Sequence, residues 1–141
     1  MFSPSRAEAR QFFIATWQKY QRQEPLAGIE TIIVEAAIAH PEYHRELQHP
    51  EQFVDKDYSP EMGDVNPFLH LSMHVAIAEQ LAIDQPHGIA AEFARLKTKL
   101  ASDHEARHKI IECLGETLWQ AQRSGSPPDA ASYLACIAAS A

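Results

Sequence analysis

Three pairs of histidines, His40/His44, His70/His74 and His104/His108, are each spaced four residues apart. On a helix that spacing puts both imidazoles on one face. Two histidines at i and i+4 can hold one metal ion from a single helix, and imidazole suits zinc, iron, nickel and copper. The third pair continues to Glu112, giving an i, i+4, i+8 row. A carboxylate in that row shifts the expected metal towards iron or manganese. The candidate ligands are His70, His74, His108 and Glu112, with His44 next and His104 and His40 completing the set. The cofactor expected from them is a divalent transition-metal ion: Fe, Mn or Zn.

The stretch NPFLHLSMHVAIAEQL, residues 66–81, is apolar nearly all round a helix. His70 and His74 share a face with Ile77 and Leu81, while Ser72 and Glu79 sit on another side. After the capping box, His104 and His108 continue an inward arc of Ile110, Ile111, Leu114, Gly115 and Leu118, with Glu112 at its edge. Burying an imidazole without a partner costs roughly 2 kcal/mol. Six of them would strain a fold stable by only about 5–15 kcal/mol. Metal is one way to satisfy them. The other is hydrogen bonding of core histidines to carbonyls, carboxylates such as Glu35, Glu79 or Glu112, or water. His40 also reads as a helix end, where imidazolium suits the dipole. His104 falls in a first helical turn and is expected half exposed. His49 and His87 adjoin turns and are expected in solvent.

The elements that must position these groups are all helical. Ser3-Pro4 opens a helix to about Arg22, carrying Phe12, Phe13 and Trp17 as core. A second runs from about Leu26 to Ala39 and is stopped by His40-Pro41. Pro41 starts a short one, PEYHREL. Residues 48–65, with two prolines and a glycine, form a long ordered connection of a length that is often functional. Helices follow over about 67–84, 87–100 and 102–123, the last opened by the capping box Ser102–Glu105. Gly125 ends it, and Pro127 begins the final helix to about Ala139, with Trp119 expected in the core. The reading is a single-domain, all-α helical bundle of about five to seven helices over residues 1–141.

At 141 residues the chain can bury a core without staples. A net charge of −7 argues against binding nucleic acid or an anionic membrane. Cys113 and Cys136 match no metal spacing, so free thiols in a cytoplasmic protein are expected, with Cys113 on the outward side of its helix. MFSPSRAEAR lacks the apolar core of a signal peptide and no run approaches membrane length, so a soluble cytoplasmic protein is expected. No phosphate loop, nucleophile elbow or HExxH motif occurs. Glu105-x-x-His108 is a single ExxH unit, whereas a ferritin-like di-iron site needs two. The partners left open are a small-molecule substrate, a protein, or a second copy of the chain.

MFSPSR at the start, HPEYH at 40–44, NPFLHLSMHVAIAEQ at 66–80 and ECLGETLWQAQ at 112–122 together resemble a bacterial family catalogued as domain of unknown function 1841. The resemblance covers nearly the whole chain. It implies a compact single-domain bacterial protein of this length, and it transfers no activity and no catalytic residue.

From the spacing, the expected function is a metal-binding helical protein of unknown substrate, acting as a metal-dependent hydrolase or oxidoreductase. The alternative is a non-enzymatic structural or protein-interaction module with hydrogen-bonded core histidines. A planar cofactor such as haem between the histidine-bearing helices is a third, weaker reading.

Overall fold

The computed structural model describes residues 6–49, 51 and 66–140. Among them are seven α-helices, one 3-10 turn and no strand, so the all-α expectation holds. The helices are α1 (Arg6–Gln21), α2 (Ile29–Ala39), α3 (His44–Gln48), α4 (Pro67–Ile83), α5 (Ile89–Leu100), α6 (Asp103–Ser124) and α7 (Ala130–Ala139). The 3-10 turn is Pro41–Tyr43. The expected Ser3-Pro4 helix start, and most of the 48–65 connection, lie outside the described residues.

Proline and capping chemistry set the ends. Asn66 Oδ1 accepts the backbone N–H groups of Phe68 and Leu69 at 3.0 and 3.1 Å, and so starts α4. Ser102 Oγ accepts the Glu105 N–H at 3.1 Å, as the capping box predicts. Ser102→Ala is expected to lower stability by about 1 kcal/mol, measured as a shift of the urea midpoint at constant slope. Gly125, with φ +69°, closes α6 in the left-handed conformation that suits glycine. The start of α7 differs from expectation. Pro128 keeps Pro127 out of the helical region, so the helix begins later. Asp129 Oδ1 then caps it by accepting the Ala131 N–H at 3.0 Å.

Contacts divide the chain into two compact units, residues 1–75 and 76–141. In the first, Phe13, Ile14 and Trp17 of α1 pack with Ile33, Ala36 and Ala37 of α2, Leu47 of α3, and Phe68, Leu71 and Val75 of α4. The Arg10 guanidinium lies 5.0 Å from the Phe68 ring centroid. An apolar cleft of about 470 Å³ opens beside this core, lined by Phe12, Phe13, Ile29 and Val75 among others. Phe12, expected in the core, is instead 44% exposed on that cleft.

In the second unit α5, α6 and α7 pack on one another. Ile89, Leu96, Ile110, Ile111, Leu114, Tyr133 and Ile137 are buried. The Tyr133 hydroxyl donates to Gln80 at 2.7 Å, and Arg95 donates to the carbonyl oxygens of Ile137 and Ala138 at the end of α7. Trp119, also expected in the core, is exposed, with the Arg123 guanidinium 5.1 Å from its ring centroid.

The cysteines are not free. Cys113 and Cys136 form a disulfide joining α6 to α7, with Cα atoms 5.8 Å apart. Cys113 is buried rather than outward, because its helix face packs against α7. Among the described residues no helix is long and apolar enough to cross a membrane.

Candidate metal centre

Helix α2 runs to Ala39, and Pro41 forces the next residues into a 3-10 turn. His40 sits at that junction with φ −126° and ψ 71°, its backbone N–H still bonded to the Ala37 carbonyl. The bend turns its imidazole inward, and the residue is only 5% exposed. On α4, His70 and His74 are one turn apart, half-buried and buried respectively.

Their Nε2 atoms meet. His40 to His70 is 3.2 Å, His40 to His74 is 3.2 Å, and His70 to His74 is 3.1 Å. The rings do not stack: the interplanar angles are 81°, 59° and 75°. Three imidazoles thus radiate from one point with their nitrogens innermost. An Nε2 atom offers one proton or one lone pair. Three of them in mutual contact suit a shared cation, a proton or a metal ion, lying among them. An ion about 2.0–2.1 Å from each nitrogen would space the nitrogens roughly 2.9–3.4 Å apart for angles between square and tetrahedral. The observed edges fall in that interval. The site therefore fits such an ion in both spacing and donor chemistry.

One nitrogen from each of His40, His70 and His74 lies within 4.8 Å of the others, an arrangement able to hold a metal ion. His108 stands half-buried on α6, in the second unit.

His40 is oriented from behind. Its Nδ1–H donates to Glu42 Oε1 at 2.8 Å, which leaves the Nε2 lone pair facing the other two rings. That donated hydrogen bond, with a backbone N–H, holds the Glu42 carboxyl below the usual carboxylate range. Tyr43 stacks on His40 at 4.9 Å and meets His70 edge-on at 5.8 Å. Burial, and then the charges of Glu42 and Glu46, push its hydroxyl above the usual tyrosine range. Glu42 and Tyr43 were missed at the level of sequence. The available signal was the motif HPEYH itself, with a carboxylate two residues beyond a histidine at a proline-forced bend.

Other sequence candidates stand elsewhere. His44 donates Nε2–H to the Ala37 carbonyl at 2.8 Å and packs on Trp17 at 4.5 Å, so it joins α3 to α2. His104 is exposed, its ring 4.1 Å from that of His108. Glu112 is on the solvent side, its side chain 69% exposed and 3.7 Å from Lys109 Nζ. The reason is helical drift: four residues turn a helix 400°, so each step along the 104–108–112 row rotates about 40°. With His108 facing the protein, Glu112 swings out. Glu35, Glu79 and Glu105 are exposed, as are His49 and His87, which pair with Glu51 and Asp84.

Comparison with known proteins places these residues in one context. The family model described as Domain of unknown function (DUF1841) matches residues 5–139. No curated protein and no solved structure matches the chain.

Proposed function

The chain belongs to the DUF1841 family, whose description assigns no activity, and from the site alone we propose that it binds one divalent transition-metal ion. The ligands in this reading are His40, His70 and His74. The observation that carries it is the triangle of Nε2 atoms with edges of 3.1–3.2 Å. Glu42 supports it as the carboxylate that fixes the His40 tautomer. The all-imidazole donor set favours zinc, iron, nickel or copper and disfavours manganese, which prefers oxygen.

Bound by these three imidazoles, a metal ion would supply Lewis acidity and, through an open coordination position, an activated water near neutral pH. In this reading a zinc ion with an open position would suit hydrolysis, and an iron or copper ion would suit oxidation–reduction chemistry. His40 and His74 are buried from bulk water, and Tyr43 covers one face of the His40 ring.

The test is elemental analysis of protein purified without a histidine tag or added metal. About one equivalent of a transition metal is expected. The His70→Ala/His74→Ala variant is expected to lose it while keeping its helical circular dichroism. A metal-free protein that gains no thermal stability from zinc, iron, nickel or copper would overturn the reading. The interaction-module alternative draws on the apolar cleft beside Phe12 and Ile29, and pull-down of a protein that Phe12→Ser releases would favour it.

A further inference from the structure

The two sulfurs of the Cys113–Cys136 disulfide differ in access. Cys113 is 2% exposed. Cys136 is half-buried and lines an open cleft of about 500 Å³ in the second unit, between α6 and α7. Thiol–disulfide exchange requires a thiolate to reach one sulfur of the pair. Of the two cysteines, Cys136 is the one that lines this cleft.

The lining of the cleft selects the thiol. Its charged side chains are Glu116 and Asp129, both acidic, set among the amide of Gln120 and the hydroxyls of Ser126 and Ser132. No lysine or arginine lines it. Such a field attracts an ammonium group and repels a carboxylate. We propose that the cleft is a thiol-exchange site, at which a small cationic aminothiol opens the Cys113–Cys136 bond by attack on Cys136 Sγ.

The step balances as an ordinary exchange. The aminothiol sulfur bonds to Cys136 Sγ as a mixed disulfide. Cys113 Sγ leaves with the electron pair and takes up a proton, with Ser140 Oγ 3.9 Å away. A second aminothiol then attacks the first one's sulfur. It releases the aminothiol disulfide and leaves Cys136 as a thiol. Two aminothiols are oxidised to one disulfide, and the protein disulfide is reduced to two thiols. A bond buried at both sulfurs would exchange only when the protein unfolds, whereas this one is open from one side.

The experiment uses the full-length oxidised protein in native buffer, treated separately with cysteamine and glutathione at equal thiolate concentration. Samples are acid-quenched, alkylated and mapped by mass spectrometry. The expected adduct is on Cys136 alone, with cysteamine about tenfold faster than glutathione. That lead is expected to shrink in high salt and in Glu116→Gln. Protein recovered in the reduced form is first treated with cystamine, which is expected to load Cys136 and then close the bond. As a second measurement, Cys113→Ser is expected to take up cystamine while Cys136→Ser does not. An adduct on Cys113, equal rates for the two thiols, exchange no faster than global unfolding, or reduced protein that cystamine cannot close would each overturn the proposal.

Discussion

Replacing His74 with alanine is expected to weaken transition-metal binding by on the order of 10²-fold or more, and to remove the thermal stabilisation that the ion confers. His74 sits at one corner of the nitrogen triangle, 3.2 Å from His40 and 3.1 Å from His70, and is buried. Saturation at a hundred times Kd adds about 2.7 kcal/mol of stability, and the variant should show none of it at the same metal concentration. Glu42→Gln grades the same prediction. It keeps the shape but removes the charge behind His40, and a loss of about 10–100-fold in affinity is expected. His44→Ala is the contrasting variant. Its hydrogen bond goes to the Ala37 carbonyl, so stability should fall while affinity per folded molecule is unchanged. Isothermal titration of the metal-stripped protein reads all three. If His74→Ala and His44→Ala bind alike, the triangle is not the ligand set.

The second large effect is on stability. Cys113→Ser/Cys136→Ser is expected to lower the unfolding free energy by about 3 kcal/mol. The cross-link closes a sequence separation of 23 residues, and opening it returns that loop-closure entropy to the unfolded chain. For a chain of this size the shift in Tm is expected to be roughly 10 °C. Cys113 sits among Ile110, Ile111 and Leu114 on the buried face of α6, so the double serine variant also buries a hydroxyl. The double alanine variant separates the two contributions. Scanning calorimetry of both against the oxidised wild type makes the measurement, and unchanged Tm values would mean that the bond is not formed in solution.

Much of this was legible in the residues. Prolines 41 and 67, the Asn66 and Ser102 caps and Gly125 fix where helices start and stop through short-range chemistry, and the structure follows them. The apolar surround of α4 already required its two histidines to face protein. What failed to read through were properties set by orientation beyond one helix. Glu112 lies one four-residue step beyond half-buried His108, and the rotation of about 40° in that step carries it to the solvent side. His40 is a helix-end residue whose burial depends on the bend that follows it. Phe12 and Trp119 are large apolar residues at helical spacing, yet whether a partner covers them is a tertiary matter. The cysteine pair gave no motif, since a staple between two successive helices has no characteristic spacing.

Residues 124–129, SGSPPD, are all exposed, and they lie inside the segment that the disulfide closes into a covalent ring. A protease that cuts there does not release a fragment. The two pieces remain one molecule under non-reducing electrophoresis and separate only when the sulfurs are reduced. A nicked sample can therefore pass size-exclusion chromatography as intact protein. The difference between reducing and non-reducing lanes after limited digestion becomes a direct count of how many molecules in a preparation carry the closed ring.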